Sequence, residues 1–372
     1  MLVGVPKEIK NHEYRVGLTP SSVRELTAHG HKVLVEHDAG AGIGAADSVY
    51  EKAGATIAGS AADVFARAEM IVKVKEPQAV ERAMLRPGQL LFTYLHLAPD
   101  PEQCKELMQS GAVCIAYETV TQPGGGLPLL APMSEVAGRM SIQAGAYSLE
   151  RAHGGMGILL GGVAGVPPAK IVVLGAGVVG TNAAQMAVGT GAEVVVIDRS
   201  VDALRRIDRM FNGRVKTVFS NRDNVEQHVL SGDLVVGGVL IPGAAAPKLI
   251  THAMVDAMKP GSVIVDVAID QGGCAETSRA TTHAEPTYRI GNVVHYCVAN
   301  MPGGVPRTST YALNNATLPF ALQLAEHGWK QALGSDVHLR NGLNVCAGKV
   351  TCMEVAEALG HDFVAPETLL AG

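Results

Sequence analysis

Four side chains in this sequence stand where acid/base chemistry on a small anion could be done. Lys73-Val74-Lys75-Glu76-Pro77 and Thr93-Tyr94-Leu95-His96 each put polar groups at the end of an apolar run. An ordinary imidazole titrates near pH ~6.5 and can move a proton at neutrality, whereas an ammonium neutralises a carboxylate or polarises a carbonyl. Lys75 and His96 are therefore candidate functional groups. The alternatives are a surface pairing of Lys75 with Glu76 and a partly buried core position for His96. Arg15 lies in the charged stretch from Lys7 to Val16, and its planar fork suits a carboxylate held in bidentate geometry, although most charged loop residues are simply solvated. Asp270 ends the run Val263-Ile264-Val265-Asp266-Val267-Ala268-Ile269, beside Gln271-Gly272-Gly273. Asp266 sits inside that run and needs partners if buried, so Asp270 at the tip is the better functional candidate.

A second constellation reads as a binding motif. Lys170-Ile171-Val172-Val173-Leu174 runs into Gly175-Ala176-Gly177-Val178-Val179-Gly180, and a further apolar run, Glu193 to Ile197, ends at Asp198. The β-branched run reads as a buried strand. Gly175 permits the tight turn, Gly177 lets the backbone approach a pyrophosphate, and Gly180 lets the following helix pack closely on the strand. The first turn of that helix offers free N–H groups and a positive dipole end. Asp198 suits ribose hydroxyls and repels a 2′-phosphate, which favours NAD over NADP, with adjacent Arg199 weakening the preference. The bland alternative is a glycine-rich turn that binds nothing.

Both constellations require parallel strands behind them. Apolar runs recur at Leu2 to Val5, Lys32 to Glu36, Met70 to Val74, Leu90 to Leu95 and Val113 to Tyr117, with helix-like stretches between them. The first of these helices opens at Thr19-Pro20, an N-cap followed by proline at the first helical position. Such alternation implies a parallel α/β sheet. Thr121 to Pro128 is rich in glycine and proline and marks a domain boundary, and a long helical pattern follows from about Ser134 to His153. Alternation restarts at Lys170, with strand candidates beginning at Glu193, Val215, Asp233, Ser262 and Val293. After Pro302-Gly303-Gly304-Val305-Pro306 the chain turns helical, Tyr311 to Leu333 forming one long pattern. The simplest organisation inserts one α/β domain, 131–304, into another made of 1–130 and 305–372. In such open sheets ligands bind beyond the carboxyl ends of the strands.

Composition narrows the partners. The 372 residues carry 30 basic and 35 acidic side chains, net −5, and no basic run suited to nucleic acid or an anionic membrane surface. The most apolar segment, Met156 to Val179, is broken by glycines, prolines and Lys170, and falls short of the ~20 apolar residues of a membrane span. No export signal is legible at the N-terminus. Six cysteines without paired spacing read as reduced, apolar core residues of a cytoplasmic protein. No zinc-hydrolase or serine-hydrolase motif occurs, and Gln323, Glu326 and His327 read as a solvated or packing helix face, so no metal is expected.

Taken together, Gly4-Val5-Pro6-Lys7-Glu8, Arg15-Val16-Gly17-Leu18-Thr19-Pro20, Val74-Lys75-Glu76-Pro77, Tyr94-Leu95-His96-Leu97-Ala98, the glycine motif and Asn300-Met301-Pro302-Gly303-Gly304-Val305-Pro306 resemble the bacterial L-alanine dehydrogenases over nearly the whole chain. The resemblance implies two Rossmann-like doubly wound domains and reversible, NAD-dependent conversion of L-alanine to pyruvate and ammonium. It implies that Arg15 and Lys75 hold the substrate and that His96 and Asp270 form the acid/base pair. It implies a cofactor site at Ser134, Gly175, Gly177, Val179, Gly180, Asp198, Ser220, Val239, Leu240, Val267, Ile269, Asp270, Arg279, Val298, Asn300 and Met301. It also implies a cytoplasmic homohexamer. One departure is Ala203, where family members commonly carry a basic residue; Arg205 and Arg206 stand nearby.

Two other readings compete. The soluble NAD(H)-binding subunit of a proton-translocating transhydrogenase resembles the same family and would take no amino acid. The chain's end at Leu369-Leu370-Ala371-Gly372 without a membrane segment, together with Lys75 and His96, argues for the dehydrogenase. A non-catalytic NAD-binding module would keep all its function without His96.

Overall fold

The computed structural model describes residues 1–239 and 246–370 and divides the chain into two compact units, Met1–Met133 with Gly303–Gly372, and Ser134–Pro302. In chain order the first unit contributes β1 (Leu2–Val5), β2 (Lys32–Glu36), β3 (Thr56–Ala58), β4 (Met70–Val72), β5 (Leu90–Thr93) and β6 (Val113–Ala116). The second contributes β7 (Lys170–Leu174), β8 (Glu193–Asp198), β9 (Val215–Phe219), β10 (Leu234–Gly237), β11 (Val263–Asp266), β12 (Thr287–Ile290) and β13 (Val293–Tyr296). The chain then returns to the first unit with β14 (Leu343–Cys346) and β15 (Lys349–Val350).

Both sheets follow one plan. The first has the order β15-β14-β6-β5-β4-β1-β2-β3 and the second β12-β13-β11-β10-β7-β8-β9. Strands β1 to β6 are mutually parallel, as are β7 to β11 and β13; β14, β15 and β12 add antiparallel edges. In each sheet three strands run outward on one side before the fourth starts on the other. That reversal makes a switch point between β1 and β4 in the first unit and between β7 and β10 in the second, where doubly wound sheets take their ligands.

The interior parallel strands are buried on both faces, which explains their unbroken apolar sequences. In β7, Ile171 and Val173 pack into one core, with Val194, Val196 and Leu234, and Val172 and Leu174 into the opposite one, with Val195, Ile197 and Val235. The first unit's core gathers Leu34, Ile71, Leu91, Cys114 and Val345 from five strands of the sheet. All six cysteines are buried and unpaired, and among the described residues no helix is long and apolar enough to cross a membrane.

Several sequence-based boundaries shift. The helix expected from Ser134 to His153 runs Ala131–Ser148, followed by a short turn at Arg151–His153. Gly155 there lies against the Leu149 backbone too closely for a side chain, so the chain turns back rather than continuing the helix. The pattern Tyr311 to Leu333 belongs to a helix Pro306–Ser335 broken at Gly328, whose φ is 69°. Strands β3, β12, β14 and β15 were not anticipated; β3 and β12 are short and half exposed, with none of the continuous apolar run of an interior strand.

Candidate active site

In the first unit the candidate residues and their partners leave the carboxyl ends of the four central strands. The chain after β1 supplies Glu8, Glu13 and Arg15. It is pinned by the helix Pro306–Ser335: Asn314 accepts from the Thr19 N–H (2.8 Å) and donates to the Gly17 carbonyl (3.1 Å). A Cβ at Gly17 would come within 2.2 Å of the Val72 carbonyl oxygen, so only glycine lets this loop cross the end of β4. Arg15 is only 2% exposed. Glu13 accepts from its Nε (2.7 Å) and Nη2 (2.6 Å), and Nη1 faces the Met133 sulfur at 3.1 Å. Burial pushes the guanidinium's pKa down, and the hydrogen bonds and charge of Glu13 outweigh it, so Arg15 is firmly cationic.

The chain after β4 carries two lysines of opposite character. Lys73 is fully buried, its ammonium 2.6 Å from Glu81 Oε1 and 3.1 Å from Glu8 Oε2. Burial pushes it toward neutrality, but the two carboxylates overcome that and raise its pKa. Burial likewise pushes the Glu8 carboxyl up against the opposing pull of Lys73. Glu8 Oε1 also accepts from the Val74 N–H (2.7 Å) and the Lys75 N–H (3.4 Å), so the network grips the backbone that presents Lys75. Lys75 itself keeps 13% of its side chain exposed, with Nζ 3.7 Å from Glu76 Oε2. Burial pushes Glu76 up, but Lys75 and then Lys10, which is hydrogen-bonded to its other oxygen, hold it below the usual carboxylate range.

After β5, His96 adopts a left-handed backbone, φ 48°, and its side chain is 43% exposed. Its ring stacks on Tyr94, 5.7 Å between centroids and 6° from parallel. Glu118, just beyond β6, accepts from the His96 N–H (2.6 Å) and the Leu95 N–H (3.1 Å), with Oε1 3.9 Å from the imidazole Nδ1. His96 is thus an open imidazole on a fixed backbone, and no core residue. Tyr94 is buried against Arg15 and Glu118, and burial raises its phenol far above the ordinary value.

In the second unit the glycine turn follows β7. Gly175 has φ 102°, and a Cβ there would lie 2.7 Å from the Gly238 carbonyl oxygen, across the switch point. A Cβ on Gly180 would sit 1.8 Å from the Gly175 oxygen, whereas nothing lies within 4 Å of one on Gly177. Gly177 caps the helix Val178–Gly189, so that helix begins on open space bounded by backbone N–H groups. These residues fit a pyrophosphate. Asp198 ends β8, its oxygens accepting from the Ala176 and Ser200 N–H groups, both at 2.7 Å, and its carbonyl accepts from the Ser220 N–H. Each carboxylate oxygen keeps acceptor capacity for a ribose hydroxyl. Ala203 lies buried in the first turn of the next helix, its N–H capped by Ser200 (3.2 Å), while Arg205 pairs with Asp202.

Asp266 and Asp270 separate cleanly. Asp266 is fully buried and accepts from the N–H groups of Ala268 (3.1 Å) and Cys274 (2.7 Å) and from the Ser278 hydroxyl (2.5 Å). It organises the turn Val267–Gln271 on which Asp270 stands exposed. Val267 and Ile269 lie on the same turn. Val179, Val298 and Met301 are buried, Ser134, Val239 and Asn300 are half-buried, and Arg279 stacks on the Tyr288 ring at 4.0 Å. Leu240 lies outside the described residues. Among the described residues one group of possible metal ligands, His37, Asp38 and Asp47, converges within 4.8 Å, with His37 hydrogen-bonded to Asp47 and 3.2 Å from Asp38 Oδ2.

Sequence reasoning missed Glu13, Lys73, Glu8 and Glu118 as partners. The spacing Glu13-Tyr14-Arg15 was the one local signal available. The others depend on neighbours in the sheet.

Two doubly wound units, one presenting buried cations and an open imidazole and the other a glycine-lined helix start, define an α/β oxidoreductase of the dinucleotide-dependent class. Residues 4–137 match the N-terminal domain of alanine dehydrogenase/PNT, and residues 141–353 match its C-terminal domain. The chain belongs to the alanine dehydrogenase/PNT family. It is 61% identical over the whole of both chains to an alanine dehydrogenase of Halomonas elongata. A solved L-alanine dehydrogenase, 52% identical, superposes with TM-score 0.94 over 97% of this chain and 99% of its own. A transhydrogenase from Sinorhizobium meliloti is more distant, at 29% identity and TM-score 0.80 over 95% and 99%.

Proposed function

We infer that this chain catalyses the reversible oxidative deamination of L-alanine: alanine, NAD and water give pyruvate, ammonium, NADH and a proton. The observation that carries the reading is whole-length identity of 61% to an alanine dehydrogenase. Arg15, Lys75 and His96 leaving neighbouring strand ends of one sheet supply the chemistry.

In this reading the Nη1 side of Arg15, oriented by Glu13, meets the substrate carboxylate, and Lys75 neutralises it and polarises the developing carbonyl oxygen. Bound NAD, held by the glycine turn and Asp198 together with the other cofactor positions implied by the resemblance, supplies the hydride acceptor. Loss of hydride from Cα leaves an imine. His96 takes a proton from the water that adds to the imine carbon and returns one to the departing nitrogen. Asp270 is the second acid/base group. A cytoplasmic homohexamer is the assembly this reading carries with it.

The test mixes protein, L-alanine and NAD at alkaline pH and follows reduced nicotinamide. Alanine-dependent NADH formation is expected, with turnover reduced about 10²–10⁴-fold in His96→Ala and NADH binding retained. NADH binding without any turnover from alanine, or from pyruvate with ammonium, shifts the assignment to a nucleotide-binding subunit like the transhydrogenase's.

A further inference from the structure

We propose that Lys248 is a positioning residue for Asp270. The proposal rests on the reading that Asp270 takes part in the reaction. The Lys248 ammonium donates to three carbonyl oxygens of one short stretch: Gly272 (2.5 Å), Gly273 (2.9 Å) and Ala275 (3.1 Å). An ammonium has three donors, and here all three go to the backbone immediately following Asp270.

Within the stretch the Gly272 and Gly273 N–H groups close the turn onto the Ile269 (2.9 Å) and Ala268 (3.0 Å) carbonyls, which leaves the carbonyls of Gly272 and Gly273 to be met from outside. Gly272 and Gly273 both adopt left-handed backbone, φ 88° and 79°, and a Cβ on Gly273 would come within 2.7 Å of Asp266 Oδ2. From the inner side, Asp266 draws in the N–H groups of Ala268, Cys274 and Ala275 and the Ser278 hydroxyl. From the outer side, Lys248 takes the carbonyls. An anion therefore collects several of the stretch's donors and a cation three of its acceptors, and the peptide planes so held cannot rotate without breaking a charge-assisted hydrogen bond. The Lys248 strip adds backbone bonds: Ala246 N–H to the Gln271 carbonyl (3.0 Å) and Leu249 N–H to the Cys274 carbonyl (2.8 Å). Asp270, exposed at the tip, inherits its direction from this clamp. The side chain of Lys248 is itself exposed, so its removal leaves no buried hole.

The experiment compares Lys248→Arg, Lys248→Gln and Lys248→Met in the full-length enzyme by kcat, alanine KM and NADH Kd, with Asp270→Asn alongside. Expected is a graded fall in kcat, smallest for Arg, which keeps several donors, and at least about tenfold for Met, as for other groups that orient a reacting residue. NADH Kd should stay within about threefold, because the glycine turn and Asp198, which the clamp does not touch, carry the pyrophosphate and ribose contacts in the proposed site. If Asp270→Asn abolishes turnover while Lys248→Met keeps kcat within about twofold of the parent, the positioning role is wrong and the role of Asp270 stands. If Asp270→Asn keeps full kcat, the reading beneath the proposal fails first. Equal loss of kcat and NADH affinity in all three variants also overturns it, since that marks a general structural role.

Discussion

The two sheets repeat one strand order and one switch point, yet their ligand edges are furnished in opposite ways. Beyond β1 and β4 the first unit crowds charge into buried positions, with Arg15 on Glu13 and Lys73 between Glu8 and Glu81. Beyond β7 and β10 the second unit removes side chains altogether, at Gly175, Gly177, Gly180 and Gly238. A small carboxylate offers few atoms, so it is recognised by charged groups fixed in advance. A dinucleotide's pyrophosphate is met instead by backbone N–H groups, which are reached only where no Cβ intervenes. The scaffold sets the place, and side-chain presence or absence sets the kind of ligand.

The sharpest way to break this contrast is at Lys73. Lys73→Met leaves two carboxylates buried without their cation and should destabilise the protein by about 3–5 kcal/mol in urea unfolding; adding Glu8→Gln and Glu81→Gln should recover much of the loss. A single variant as stable as the parent would show that the first edge does not depend on its charge network.

A smaller effect separates the glycines. Gly180→Ala should cost about 1–3 kcal/mol of stability through overpacking against the Gly175 carbonyl. Gly177→Ala should unfold like the parent while losing NADH affinity on the order of tenfold, because its Cβ meets only the pyrophosphate's space. Equal effects on folding at both positions would contradict the division between packing and binding.

The smallest effect is a pH dependence at Glu76. Its folded pKa lies below the ordinary 4.5, so the stability it contributes is present above that value and is lost as pH falls through the lowered one. Glu76→Gln should be less stable than the parent at neutral pH by about 1 kcal/mol, with the difference shrinking as the pH falls from 4.5 through the lowered pKa of Glu76. A difference that does not shrink at all as the medium is acidified would assign the effect to shape rather than charge.

Much of this was legible in the chain. The apolar runs at Leu2–Val5 and Lys32–Glu36 coincide with β1 and β2, and Thr19-Pro20 does open a helix, Pro20–Ala28, with Thr19 accepting from the Ser22 N–H. Interior strands announce themselves because both faces are buried; edge strands such as β12 are not so marked, since half their residues face water. At the site, sequence ranked Asp270 above Asp266, and the structure shows Asp266 consumed by backbone donors. It named Lys75 among the polar groups at that strand's end, and the burial of Lys73 between Glu8 and Glu81 was not legible there.

What the sequence determined by itself is whatever depends on near neighbours: parallel interior strands, the glycine turn and the acid that ends β8. Which charges are buried, and against what, was decided by tertiary structure alone. Lys73 and Glu8 are 65 positions apart and Lys248 reaches carbonyls 24 to 27 positions away. The free energy of a charge depends on the atoms that replace its water, and only the folded sheet edge brings those atoms to it.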